Sequence, residues 1–336
     1  MAADLARDLE HWFQRQGRDL PWRNTRDPYA ILVSEVMLQQ TQVATVLERG
    51  YYQRWLERFP DFHHLAAAGE EAVLQAWEGL GYYRRARNLQ ALARAILERH
   101  GGQFPRDPET IRALPGVGPY TAGAIASFAF DLPEPLVDGN VARVLSRIDN
   151  NAQPVDSTAG HKRLWQRAGE LVQAAQSPRA LNSALMELGQ LVCRPGKPLC
   201  LQCPVKRHCR AEDPSTLPVK KARPPTTEVT ERVFLLEVNG AVLLEQERGA
   251  RRTGLWKLPS LPDEQPEGPP PVLFRSTYGI TRYKVHLWVH ETPQPAPAPA
   301  DNQRLVPLAD LAATPMPSPY RRALDTLLAE RDFRLH

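Results

Sequence analysis

Four cysteines constrain this chain more than any other feature, because all of them fall in one short stretch, CRPGKPLCLQCPVKRHC. They stand at Cys193, Cys200, Cys203 and Cys209, with six, two and five residues between them. The N-terminal stretch MAADLARDLEHWFQRQ is charged and amphipathic rather than signal-like, so disulfides are not expected and a metal site is. Four thiolates suit either tetrahedral zinc or an iron–sulfur cluster, and coordination chemistry alone leaves both open. Arg194, Lys197, Lys206 and Arg207 make the same loop basic, which suits contact with phosphates.

Proline divides the chain just past this loop: residues 1–203 hold 13 of the 32 prolines and the shorter remainder holds 19. The stretches AVLQAWEGL, RRARNLQALARAILERH and HKRLWQRAGELVQAA, all before the division, carry helical periodicity. After it, RVFLLEV and AVLLEQE flank Asn239-Gly240, a hairpin signal; YKVHLWVH reads as a further strand and RRALDTLLAER as a closing helix. The expected fold class is α+β, with a mostly helical domain over 1–210, a proline-rich linker over 211–229 and a small α+β domain over 230–336. The 336 residues suffice for two cores, and no apolar run of membrane-spanning length is present. The chain is therefore expected to be soluble and intracellular. Its net charge of +4 comes from residues 1–210, with 26 basic and 22 acidic residues, which weakly favours an anionic partner there.

Three segments carry candidate chemistry. In ILVSEVMLQQTQV, Glu35 sits between two apolar triplets; on a helix it faces either water or the interior, and burial would raise its pKa toward that of a general acid. In LPGVGPYTAGAIASFAF, Gly116, Val117 and Gly118 form a turn ahead of a small-residue helix, whose free N–H groups can bind a phosphate. In PLVDGNVARVLSRI, Asp138 precedes an apolar-periodic helix: it is a helix cap, a carboxylate facing a developing positive charge, or both. Arg84 and Arg85, together with Arg87, are phosphate contacts or a solvated helix face.

Together with LPWR, GLGYYRRARNL and the cysteine spacing, these segments resemble the MutY family of adenine DNA glycosylases, in the helix-hairpin-helix superfamily that includes endonuclease III. The resemblance implies a 4Fe-4S cluster on the four cysteines and a monovalent cation among the hairpin carbonyls. Glu35 becomes the general acid and Asp138 the catalytic carboxylate, with Tyr120 and Asn140 holding Asp138 and the sugar. Arg18, Leu20 and Trp22 correspond to the wall of the adenine pocket, and Gln40 and Tyr82 to residues that probe or intercalate beside the lesion. Tyr120 stands where endonuclease III has a Schiff-base Lys, which implies a monofunctional enzyme. The C-terminal domain is similar to Nudix hydrolases but has no R-E-x-x-E-E helix, so pyrophosphatase activity is not expected. Its lesion-reading Phe-Ser-His segment is replaced by Ile280-Thr281-Arg282, which makes Thr281 and Arg282, with Tyr283, the candidate lesion contacts.

The implied reaction is hydrolysis of the N-glycosidic bond of adenine opposite 8-oxoguanine, or guanine, in double-stranded DNA. A monomer in the bacterial cytoplasm and nucleoid, without membrane contact, is expected. An endonuclease III-like lyase acting on oxidised pyrimidines and a non-catalytic DNA-binding protein are the competing readings; Tyr120 speaks against the first and Glu35 against the second.

Overall fold

The structure, a computed structural model, describes residues 2–222, 224–249, 252–262 and 268–334; Arg223, within the expected linker, lies outside them. The chain forms two compact units, residues 1–66 with 91–222, and residues 67–90 with 223–336. Segment 67–90 thus packs with the C-terminal part, where a linear reading groups it with the helical one. Among the described residues no helix is long and apolar enough to cross a membrane.

Helices α1 (Ala2–Gln16), α2 (Pro28–Leu38), α3 (Val43–Glu48), α4 (Tyr51–Arg58) and α5 (Phe62–Ala67) open the first unit; α6 (Glu70–Ala76) lies in the second, and α7 (Arg84–His100) runs from the second into the first. The first unit continues with α8 (Pro108–Arg112), α9 (Pro119–Phe130), α10 (Gly139–Ile148), α11 (Thr158–Gln173) and α12 (Pro178–Leu191). Short polar side chains set several helix starts. Asp27 accepts from the Tyr29 and Ala30 amides, and Pro28 fills the first helical position, where no N–H is needed. Helices α1, α10, α11 and α12 close around Leu9, Val144, Leu145, Leu185 and Leu188. Helix α2 has no water-facing side at all: every residue from Tyr29 to Met37 is buried, Glu35 included.

The second unit holds β1 (Thr227–Phe234), β2 (Glu237–Val238), β3 (Ala241–Gln246), β4 (Trp256–Lys257), β5 (Val272–Ile280), β6 (Tyr283–His290), β7 (Gln303–Pro307) and α13 (Ser318–Arg334). One sheet runs β1-β6-β5, with β1 parallel to β6. The other runs β2-β3-β4, with β7 on β3. Asn239 and Gly240 both take left-handed backbone (φ 50° and 74°), the geometry of a two-residue hairpin turn. The stretch RVFLLEV is nevertheless not one hairpin strand. Its first residues end β1 in one sheet, Leu235 and Leu236 cross over, and Glu237–Val238 pair with β3, whose Leu243 amide also donates to Leu236 O (2.9 Å). Burial explains the crossing, since Phe234, Leu236, Leu243 and Leu261 form a separate apolar cluster at that point. Between layers, Glu231 of β1 accepts from the hydroxyls of Tyr278 and Tyr320 and from Arg252. Segment 67–90 is tied in by Arg321 to Glu78 (2.9 Å), the Trp256 indole to Glu71 (3.3 Å) and the Tyr83 hydroxyl to Met316 O (3.0 Å).

A single amide joins α9, α12 and the segment between α9 and α10. Asn182 Nδ2, fully buried, donates to Ser127 Oγ (2.9 Å) and to Glu134 O (3.0 Å). Its removal strands one buried and one half-buried acceptor, so Asn182→Ala is expected to lower stability by about 1–3 kcal/mol in chemical denaturation, without a change in secondary structure by circular dichroism.

Candidate active site

Glu35 projects from the buried middle of α2 into the wall of a pocket also lined by Arg18, Leu20, Trp22, Met186 and Gln190. Only 4% of it is exposed. The Tyr120 hydroxyl, on the first turn of α9, donates to Glu35 Oε2 at 2.7 Å. Burial pushes the Glu35 pKa up to about 7; the Tyr120 bond and the Arg23 charge pull it down, and the Asp138 charge pushes it further up. Burial and the neighbouring Glu35 carboxyl hold the Tyr120 hydroxyl protonated, well above its ordinary range. The pair is therefore a proton-bearing acid beside a neutral phenol.

Asp138 caps α10: one carboxylate oxygen accepts from Val141 N (2.7 Å) and the other from Asn140 Nδ2 (2.8 Å). Asn140 is fixed in turn by Arg143, whose Nη2 donates to Asn140 Oδ1 (2.9 Å) and Gly189 O (2.7 Å) and whose Nε donates to Cys193 O (2.7 Å). Glycine is required at 189, because an added Cβ would stand 2.7 Å from Asn140 Cβ and 3.2 Å from its Cα.

Two arginines of the pocket wall, Arg18 and Arg23, bond a second buried carboxylate that sequence reasoning missed. Glu187 of α12 takes Arg18 Nε (2.8 Å), Arg18 Nη2 (2.8 Å), Arg23 Nη2 (2.9 Å) and the Arg18 amide (2.9 Å), and Arg18 also donates to Gln190. Burial alone would raise the Glu187 pKa; the bonds from Arg18 and Arg23 outweigh it and hold the carboxyl down at about 2. The flanking Met186 and Leu188 are the same signal that marked Glu35. Leu20 and Trp22 are buried, the Trp22 ring meeting Tyr52 edge-on at 5.3 Å.

The hairpin is formed by α8, a turn at Leu114–Gly118 and α9, with Gly116 in left-handed backbone (φ 74°). Gln40, just past the end of α2, is exposed and also left-handed (φ 61°). Tyr82, Arg84, Arg85, Thr281 and Arg282 belong to the second unit. Thr281 and Arg282 form the tip of the β5–β6 hairpin, and the Arg282 guanidinium stacks on Tyr283. Arg84 is exposed, but Arg85 does not face outward as a phosphate contact would. It is buried because the glycine turn before it directs carbonyls inward: Arg85 Nη2 donates to Leu80 O (2.8 Å) and Gly81 O (3.1 Å).

The four cysteines are each partly buried, and they act on one another: burial, and then the charges of Cys193, Cys209 and Cys200, raise the Cys203 thiol to about 11. Buried Arg147 donates to Cys193 Sγ (3.4 Å) and Arg194 O (2.8 Å), a cation suited to thiolates. Arg207 and His208 of the loop both bond Asp8 of α1. Among the described residues no three His, Cys, Asp or Glu side chains close on one metal-ion position. In donor chemistry, four partly buried cysteines with a buried guanidinium on one of them suit a thiolate-ligated group.

Residues 33–168 match the family described as "HhH-GPD superfamily base excision DNA repair protein". The chain is similar to adenine DNA glycosylases of Mus musculus, 51% identical over 61% of this chain and 41% of the relative, and of Buchnera aphidicola from Baizongia pistaciae, 36% identical over 74% and 70%. It thus spans about two fifths of the length of the mouse and rat relatives, at 41% each. Among solved structures it is similar to a thermostable thymine-DNA glycosylase (29% identity, TM-score 0.56, 62% of this chain and 95% of that one). It is also similar to an endonuclease III trapped covalently on DNA (25%, TM-score 0.52, 62% and 96%). With a buried acid, a capping Asp and a helical hairpin on one scaffold, and relatives of this identity, the chain belongs to the adenine DNA glycosylase family.

Proposed function

We propose that this chain is a monofunctional DNA glycosylase that hydrolyses the N-glycosidic bond of adenine opposite 8-oxoguanine or guanine in duplex DNA. The observation that carries this reading is Glu35, a carboxyl in a pocket wall with its pKa raised to about 7. A base held in that pocket must have left the stack. Adenine leaves poorly as an anion, so Glu35 donates its proton to a ring nitrogen as the glycosidic bond breaks. The sugar then carries positive charge. Asp138, aimed by the Val141 amide and Asn140, stabilises it electrostatically or by transient attachment, and water completes hydrolysis.

The side chain at 120 is a phenol, not an amine, and it donates to Glu35, which supports hydrolysis without strand cleavage. Arg18, Leu20 and Trp22 serve as the base pocket wall, Gln40 and Tyr82 as duplex probes, and Thr281 and Arg282, at their hairpin tip, as lesion contacts. Backbone at Gly116, Val117 and Gly118 takes a phosphate, with a monovalent cation among the hairpin carbonyls, and exposed Arg84 takes another phosphate. Cys193, Cys200, Cys203 and Cys209 would hold a 4Fe-4S cluster, which when bound cross-links four points of the basic loop. The C-terminal strands and α13 serve as the Nudix-like lesion reader, and the enzyme acts as a monomer.

The direct test is release of free adenine from a duplex with adenine opposite 8-oxoguanine, beside undamaged and oxidised-pyrimidine duplexes. Adenine should appear from the first alone, with no borohydride-trappable adduct on an abasic duplex; the reverse pattern would assign a lyase.

Because the acid form of Glu35 is the active one, the single-turnover rate should fall as pH rises through about 7, a limb measurable by rapid quench. The Glu35→Gln chain should bind the mispair but release no base; undiminished release would remove Glu35 from the mechanism. The same variant separates a stability effect. The folded pKa lies above the ordinary 4.5, so the folded state holds the extra proton, and stability from Glu35 is complete below 4.5 and lost as pH rises through about 7. That loss is on the order of 3 kcal/mol. Glu35→Gln should therefore gain in melting temperature relative to the parent as pH is raised from 5 to 8.

A further inference from the structure

The turn that presents Tyr82 is built on unusual backbone. Gly79 (φ 93°) and Gly81 (φ 69°) take left-handed conformations, and so does Tyr82 itself (φ 47°). For a bulky side chain this backbone is strained and persists only where neighbours over-determine it. The neighbours are close in sequence. Three successive carbonyls end on Arg85: Leu80 O and Gly81 O accept from its guanidinium (2.8 and 3.1 Å) and Tyr82 O from its amide (2.8 Å). Trp77 Nε1 donates to the same Gly81 O at 3.0 Å. The Arg85 guanidinium carbon also lies 5.2 Å from the Trp77 ring centroid and 5.8 Å from that of Tyr82, so one planar cation touches both aromatics. Burial lowers its pKa only to about 10, so it keeps its charge near neutrality. The aromatic it supports is nevertheless 46% exposed, while Tyr83 beside it is buried.

We propose that Arg85 is the positioning residue for Tyr82, locking the Leu80–Tyr82 turn so that the Tyr82 ring stands ready to enter the duplex. The proposal rests on the reading of Tyr82 as a duplex probe. A ring fixed before binding has already paid its ordering entropy, so contact with DNA goes further toward distorting the base stack. Lysine does not replace Arg85: both carbonyls accept from the one Nη2, which an ammonium could imitate, but a point charge lacks the planar face that meets two rings. Arg85 touches neither substrate nor reacting atoms; its effect passes through Tyr82.

A double-mutant cycle on the full chain tests this. Arg85→Lys, Tyr82→Ala and the double variant, each checked by thermal melting, are compared in single-turnover adenine release and in the fluorescence of 2-aminopurine beside the mispair, which rises on unstacking. With Tyr82 present, Arg85→Lys should slow release about tenfold and shrink the fluorescence rise; with Ala at 82 it should change neither by more than about twofold. Equal losses in both backgrounds, or no loss in either, overturn the proposal. If Arg85→Lys fails to fold, Trp77→Phe, which removes the indole donor to Gly81 O and shrinks the buried ring beneath Arg85, is read by the same criteria with a smaller loss expected. Unchanged release and fluorescence in Tyr82→Ala alone would show that Tyr82 does not enter the duplex, and the proposal falls with that reading. A parent that raises the fluorescence but releases no adenine would remove the glycosylase reading and leave the cycle to be judged on fluorescence.

Discussion

Keeping one carboxyl group away from water is the constraint on which the first unit depends. Glu35 can be dry only if α2 has no exposed side, so apolar residues occupy both flanks and α4 and α9 pack against it. The other polar groups on α2 are satisfied within the protein: the Ser34 hydroxyl bonds Ile31 O (2.7 Å), and the Tyr29 hydroxyl bonds Phe59 O (2.6 Å) while accepting from the Trp55 indole (3.2 Å). Such groups would each cost about 1–3 kcal/mol if left unpaired, so the helix tolerates full burial because they are not. Glu35 is treated differently. Its partner is a phenol, which offers a neutral donor and no countercharge.

Glu187 makes the same point by contrast. Both carboxyls are buried, yet one is pushed to about 7 and the other held at about 2. Desolvation acts upward on each, so it cannot decide the difference. Partners decide it: two guanidinium groups and a backbone amide favour the anion at Glu187, whereas one hydroxyl at Glu35 does not repay the loss of water. Glu187 thereby neutralises Arg18 and Arg23 of the pocket wall, and Glu35 remains a separate proton donor. Opposite protonation states in two buried carboxyls need this separation of environments.

What was legible in the sequence was local. The Asp138 cap, the glycine hairpin, the Asn239-Gly240 turn and the cysteine spacing each lie within one short stretch, where turn and cap chemistry act at fixed offsets. The burial of Glu187 could be read from flanking Met186 and Leu188, but its ionisation could not, because that depends on Arg18, 169 residues away along the chain. Arg84 and Arg85 are adjacent and chemically identical; only the carbonyls released by Gly79 and Gly81 separate an exposed side chain from a buried one. The reading of RVFLLEV as one strand missed a change of sheet, since four apolar residues in a row satisfy a strand and a crossing equally well. The packing of 67–90 with the C-terminal unit rests on Glu71 and Glu78, whose partners Trp256 and Arg321 follow much later in the chain.

Arg143 carries the remaining step. Its one guanidinium is held by Cys193 O at the start of the cysteine loop, by Gly189 O in α12 and by Asn140 Oδ1, and Asn140 in turn donates to Asp138. These three acceptors lie at 2.7–2.9 Å, a fourth, Gly139 O, at 3.4 Å, and Gly189 leaves no room for Asn140 to shift toward α12. A displacement of the loop therefore cannot be absorbed by the arginine; it either breaks a charge-assisted hydrogen bond or turns the Asn140 amide away from Asp138. The cysteine loop and the capping carboxylate are thus linked through Arg143 and Asn140, while the Val141 amide holds the other oxygen of Asp138 from within its own helix.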